Sequence, residues 1–137
     1  MSTKLKNIWV IDDDKLYTFL LTKTLTKLQA CDKISVYENG KLGIDALKIQ
    51  IAQNGELPEL IFLDINMSVM DGWEFIEEYK QLADGNNLGS IIYVAMSSIS
   101  TDDMAKARSH KEIHDYIVKP ISANTITAIL EKTARTN

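Results

Sequence analysis

Leu60-Ile61-Phe62-Leu63-Asp64-Ile65-Asn66-Met67 is the stretch that decides the fold. Leu60 to Leu63 form a short apolar run closed by a carboxylate, with neither face left polar, as in a strand buried on both sides. Such a strand belongs to a parallel sheet with helices on both faces. Working outward, Asn54-Gly55-Glu56-Leu57-Pro58 breaks the chain before it, and Asp84-Gly85-Asn86-Asn87-Leu88-Gly89 leads to a second doubly apolar run, Ile91–Met96. These two runs are expected at the centre of the sheet. Runs at 7–11, 33–37 and 115–118 bring the strand candidates to five, and Asn39-Gly40 punctuates the chain after the second. The spacing between the runs predicts five helices. Their apolar stripes are Leu16, Phe19, Leu20 and Leu28; Ile44, Leu47 and Ile51; Trp73, Ile76 and Tyr79 or Lys80; a weak Met104, Ala105 and Ala107 over 102–111; and Ile126, Ile129, Leu130 and Thr133. The fold class is α/β, an open, doubly wound five-stranded parallel sheet that binds ligands at the carboxyl ends of its strands.

Those ends carry chemistry. The first strand runs into Asp12-Asp13-Asp14, the third ends at Asp64, the fourth runs into Ser97-Ser98 and the fifth into Lys119-Pro120. Taken singly, an Asp or Ser at a strand end is most often a helix cap or turn former, and Asp14 fits a cap on the first helix. Lys119 alone would most often be a solvated surface lysine. Together, carboxylates sharing one pocket repel each other unless a cation neutralises them, and a hard divalent ion such as Mg2+ suits an all-oxygen site that keeps positions open. A metal, a carboxylate nucleophile (Asp64), a hydroxyl and a fixed ammonium (Lys119) are the parts of phosphoryl transfer.

The segments Trp9-Val10-Ile11-Asp12-Asp13-Asp14, Ile61-Phe62-Leu63-Asp64-Ile65-Asn66-Met67 with Met70-Asp71-Gly72, and Asp115-Tyr116-Ile117-Val118-Lys119-Pro120 carry a resemblance. In this order and spacing the chain resembles the receiver domain of bacterial response regulators, over nearly its whole length. The resemblance implies a flavodoxin-like strand order 2-1-3-4-5. It implies that Asp64 is phosphorylated by a sensor histidine kinase or a phosphotransfer protein, that Asp13 binds Mg2+ directly and Asp12 largely through water, and that Asn66 offers its backbone carbonyl. Lys119 would contact the phosphoryl oxygens, the bond before Pro120 would be cis, and Tyr116 would match the aromatic switch, its other reading being an ordinary half-buried strand tyrosine.

Two positions depart from the family pattern. Met67-Ser68 stands where Met-Pro is usual, which is expected to loosen the loop by about 0.4–1 kcal/mol. The switch hydroxyl has two registers: counting back 22 residues from Lys119 reaches Ser97, whereas a gap-free match to serine-rich variants puts Met96 there and leaves Ser97 or Ser98 to substitute. Ser97 is the favoured reading. Methionine has no hydrogen to donate to a phosphoryl oxygen.

Composition bounds the rest. With 137 residues, 45% of them apolar, residues 1–137 are expected to form one receiver domain without an output domain, so that its signal passes through altered binding of an effector protein. A net charge of −4 and no Lys/Arg-rich run disfavour nucleic acid. Cys31 is the only cysteine, which excludes an intrachain disulfide and suits a reducing cytoplasm. Met1-Ser2-Thr3-Lys4-Leu5-Lys6 passes into an apolar run too short for a signal peptide, and no stretch approaches the ~20 apolar residues of a membrane span.

Three alternatives remain. An aspartate-nucleophile phosphohydrolase would use Asp12-x-Asp14, but Leu16 departs from that motif. A mononucleotide binder would want a Gly/Ser/Thr-rich loop where three aspartates stand. A degenerate receiver would serve only as a protein-binding module.

Overall fold

In a computed structural model the residues described are 4–136, with no account of the Thr136 side chain. Met1, Ser2, Thr3 and Asn137, on which the expectations about a leader and about the end of the chain partly rest, lie outside them. Strands and helices alternate as the apolar pattern predicts: β1 Leu5–Ile11, α1 Lys15–Lys27, β2 Cys31–Tyr37, α2 Gly40–Gln53, β3 Leu60–Asp64, α3 Gly72–Ala83, β4 Ile91–Met96, α4 Thr101–Ser109, β5 Ile113–Val118 and α5 Ala123–Thr136. The strands pair in parallel in the order β2-β1-β3-β4-β5. This is the flavodoxin-like (βα)5 arrangement, with β3 central and all five of its residues buried. No helix among the described residues is long and apolar enough to cross a membrane.

Side-chain alternation along the strands feeds two cores. Trp9, Ile11, Ile61, Leu63, Ile92, Val94 and Met96 face α2 and α3, meeting Ile44, Leu47, Phe75, Ile76 and Tyr79. On the opposite face Ile8, Val10, Leu60, Phe62, Tyr93, Ala95 and Ile117 meet Leu21 and Leu25 of α1 and Ile126, Ile129 and Leu130 of α5. The stripes read on α2 and α5 are the ones buried. Phe75 was not among the residues read on α3 and is fully buried.

α1 corrects the sequence reading. Its buried residues are Thr18, Leu21 and Leu25, whereas Leu16, Phe19, Leu20 and Leu28 are exposed, Leu16 to 69%. The helix is apolar on two sides, and Thr18 in the inner stripe masks it because its hydroxyl is satisfied locally, donating to the Lys15 carbonyl at 3.1 Å. β1, β2 and β5 each begin two residues before their expected starts, because exposed Lys6, Asp32 and His114 interrupt the apolar runs. α4 covers Thr101–Ser109 rather than 102–111, with Ser100 accepting the Asp103 amide as its cap.

The link from β3 to α3 holds the third strand end in place. Gly72 donates its amide to the Ile65 carbonyl at 2.8 Å, and a Cβ at position 72 would lie 2.5 Å from the Asp64 carbonyl oxygen. Only glycine allows that approach. Before it, Met70 N–H donates to the Ser68 carbonyl at 2.8 Å, closing a three-residue turn around Val69, whose φ is +69°. This is the rarer hand of γ-turn, strained for a β-branched residue.

Candidate functional site

The parallel sheet brings the ends of β1, β3, β4 and β5 to one edge. Asp12 follows β1, its amide continuing the pairing by donating to the Tyr37 carbonyl at 2.9 Å. Its Oδ1 accepts the Asp14 amide at 2.9 Å, which turns the chain toward α1. Asp14 then caps that helix, as its position suggests, accepting the Tyr17 amide at 3.0 Å. Asp14 is thereby committed to structure, which leaves the Asp12-x-Asp14 phosphohydrolase motif without its second carboxylate. Asp13 between them is exposed.

Asp12, Asp13 and Asp64 each present a carboxylate oxygen within 4.8 Å of the other two. Asp12 and Asp64 are almost fully buried, 3% and 4% exposed. Lys119 follows β5, fixed by its amide donating to the Met96 carbonyl at 2.8 Å, and its peptide bond to Pro120 is cis as expected. Its ammonium lies 2.7 Å from Asp12 Oδ2 and 3.6 Å from Asp64 Oδ1. Burial pushes the Asp64 carboxyl up to about 7, with Asp12 adding to the rise, while Lys119 and the Asn66 amide, 3.4 Å from Asp64 Oδ1, oppose it. Three carboxylates against one ammonium leave a negative deficit in a largely dry pocket. That donor set, all oxygen and partly open through Asp13, fits a hard divalent cation.

Asp64 is the register partner of Ala95, so the two side chains share a face of the sheet. Met96 turns to the opposite face and is buried with the α2 and α3 core, 2% exposed. Ser97 is the next residue, just past the end of β4 and exposed. Ser98 is also exposed. Tyr116 on β5 is partly buried, and its hydroxyl accepts from Arg108 Nη2 of α4 at 3.2 Å. Asn66 is exposed just past β3.

Tyr17 is the neighbour that sequence reasoning missed. The Lys119 ammonium lies 4.2 Å from its ring centroid. An aromatic in the first turn of the helix after the aspartates was the available signal, obscured by the flanking leucines and Phe19.

Comparison with known proteins bears on this geometry. Residues 8–131 match the family model for the response regulator receiver domain. A crystal structure of a two-component response regulator from Cytophaga hutchinsonii is 30% identical, covers 96% of this chain and 98% of its own, and superimposes with a TM-score of 0.87. Probable methanogenesis regulatory protein FilR2 of Methanothrix harundinacea is 25% identical over 91% of this chain and 79% of its own length. The receiver domain of Ssk1 from Saccharomyces cerevisiae, crystallised with the histidine phosphotransfer protein Ypd1, shares the fold at 20% identity, covering 96% of this chain and 90% of that one with a TM-score of 0.78. Several curated relatives are longer proteins, of which this chain spans 29%, 42% and 24%. The order of the strands, the clustered aspartates and a family match over most of the sequence lead to one conclusion: this chain belongs to the response regulator receiver family, the phosphoryl-accepting signalling modules of two-component phosphorelays, which are not conventional enzymes.

Proposed function

We propose that Asp64 is the phosphoacceptor, taking a phosphoryl group from a phosphohistidine on a sensor kinase or a phosphotransfer protein. One observation carries this: Asp64 is the buried strand-end carboxylate that two other carboxylates and the Lys119 ammonium all reach. Asp12, Asp13, Asp64 and the Asn66 backbone carbonyl would hold Mg2+, which when bound supplies positive charge to a phosphoryl group and offsets repulsion among the carboxylates. Lys119 adds a fixed ammonium beside Asp12 and Asp64, and its low exposure, 11% for the side chain, keeps that charge poorly screened. Ser97 is the hydroxyl we assign to the phosphoryl oxygens. Its exposure at the edge and the burial of Met96 support the assignment.

Tyr116 is the residue we assign to the switch. Phosphorylation adds charge beside β4 and β5, and the Arg108 contact ties Tyr116 to α4, so a change at the site has a physical route to the α4–β5 surface. Output then passes through altered partner binding. The exposed Leu16, Phe19 and Leu20 of α1, the helix that follows the three aspartates, support recognition of a protein donor along α1. The lone Cys31 suits a reducing cytoplasm.

Intact-mass spectrometry after incubation with Mg2+ and acetyl phosphate tests the proposal. One labile phosphoryl adduct is expected, lost with chelator and absent in Asp64→Ala. A wild type that stays unmodified with both the small donor and its kinase supports instead a phosphorylation-independent binding module. Ser97→Ala is expected to keep the adduct but lose the change in partner affinity, with Ser98→Ala unaffected.

A further inference from the structure

Tyr17 stands outside the residues that the receiver reading uses, yet it touches the one cation of the pocket. Its position is fixed from below: its amide is held by Asp14 Oδ1 at 3.0 Å, and its ring packs on the α1 and α5 core beside Leu21, Pro120 and Ile126. From there the ring faces Lys119, whose Nζ is 4.2 Å from the ring centroid while remaining 2.7 Å from Asp12 Oδ2 and 3.6 Å from Asp64 Oδ1. A lysine stem has four rotatable carbons and an ammonium that prefers water. Nothing in the stem itself would keep that ammonium inside the pocket.

We propose that Tyr17 is a positioning residue for Lys119, its ring face holding the ammonium between Asp12 and Asp64 where an arriving phosphoryl oxygen would meet it. The ring's negative face attracts the cation and replaces part of its water shell, so the ammonium is pre-placed rather than recruited. The phenol oxygen plays no part in this. It is buried without a hydrogen-bond partner among the described residues, and burial, followed by the charges of Asp12, Asp64 and Asp14, keeps the phenol neutral. The aromatic face is therefore the working element, and phenylalanine should replace tyrosine here.

The inference rests on the reading that Lys119 contacts the phosphoryl group, and two readouts keep the two claims apart. The first needs neither metal nor donor: in the NMR spectrum of the unphosphorylated protein, the Lys119 ε-methylene protons are expected upfield in wild type and Tyr17→Phe, and at ordinary positions in Tyr17→Leu. The second is the rate of adduct formation against acetyl phosphate concentration with Mg2+. Tyr17→Leu is expected to lower the saturating rate roughly 2- to 30-fold, the range a cation–π contact supports, and Tyr17→Phe to stay within about twofold of wild type. Ordinary lysine shifts in the wild type would overturn the proposal, as would full activity of Tyr17→Leu. Equal losses in Tyr17→Phe and Tyr17→Leu would overturn it too, by assigning the effect to the hydroxyl. If Tyr17→Leu does not fold, the wild-type spectrum and Tyr17→Phe decide. A wild type that takes no phosphoryl group sinks the receiver-site reading while leaving the first readout to decide the placement of Lys119.

Discussion

Asp64 is held in a place where its charge is unwelcome until a cation arrives. Its carboxyl is raised from 3.8 to about 7, chiefly by burial and then by Asp12. Between those values the folded protein retains a proton that the unfolded chain has released, so the contribution of Asp64 to stability is full below about pH 4 and is lost as pH rises through about 7. Asp64→Asn removes the charge while keeping the shape. In chelator it should stabilise the protein at pH 8 by about 1–2 kcal/mol and have little effect near pH 4, as read from urea denaturation at both values. Equal effects at the two pH values would contradict the assignment. Mg2+ should raise the stability of wild type at pH 8 and barely that of Asp64→Asn. Val69 offers a second test, because its φ of +69° is one that glycine adopts freely. Val69→Gly should raise Tm by a few degrees, strain relief of about 1–3 kcal/mol exceeding the ~0.5–1 kcal/mol of added unfolded-state freedom. The aspartates and Lys119 were legible in the sequence because their chemistry is in their residue types. The hydroxyl at the end of β4 was less legible, since one residue of register separates Ser97 from Met96, and Tyr17 was passed over because its aromatic signal sits among the flanking leucines and Phe19.

Strands and helices differed in how well they could be read, and the difference is one of physics. β3 and β4 were delimited correctly because a strand buried on both faces has no alternative to an unbroken apolar run. α2 and α5 were oriented correctly because each has one apolar stripe. α1 has two, and hydrophobicity alone favoured the wrong one, since Leu16, Phe19 and Leu20 outnumber Leu21 and Leu25. Truncation distinguishes the faces: Leu21→Ala should cost about 2–5 kcal/mol of stability, whereas Leu20→Ala should stay within about 1 kcal/mol. Similar losses at both sites would mean that the outer stripe is also covered. On the proposed reading that exposed stripe is where a protein phosphodonor docks. Phe19→Glu should therefore leave stability and the reaction with acetyl phosphate near wild type, while slowing transfer from a protein phosphodonor, followed by phosphohistidine decay. Slowing of both reactions alike would locate the effect in the pocket instead.

The five helices are not fastened equally to the sheet. α5 inserts Ile126, Ile129, Leu130 and Thr133 into the interior, whereas α4 buries Ala107 alone. Met104 packs against the same core only partly buried, and the remaining contacts of α4 are polar and peripheral: Lys106 lies 4.8 Å from the Trp73 ring centroid, His110 is 2.8 Å from the Lys80 ammonium, and Arg108 rests on Tyr116 with its guanidinium 5.2 Å from the ring. Contacts of this kind are individually weak at partly exposed sites, so α4 should open locally at a free energy well below that of global unfolding. In native-state hydrogen exchange its amides should exchange at least roughly tenfold faster than those of α5, with β1, β3 and β4 slowest. Arg108→Ala should accelerate exchange in α4 further and leave β3 unchanged, because buried Ala107 and half-buried Met104 are the apolar anchors left once Tyr116 is released. The same asymmetry gives the phosphoryl site its reach. Charge added at Asp64 acts on β4 and β5, and of the helices that flank them α3 and α5 are pinned by their core residues, so α4 is the one whose position a few kcal/mol can shift. Phosphorylation should accordingly alter exchange in α4 and at Tyr116 while leaving α5 as it was. A change that appeared first in α5, or spread uniformly over the sheet, would mean that the signal leaves by another route.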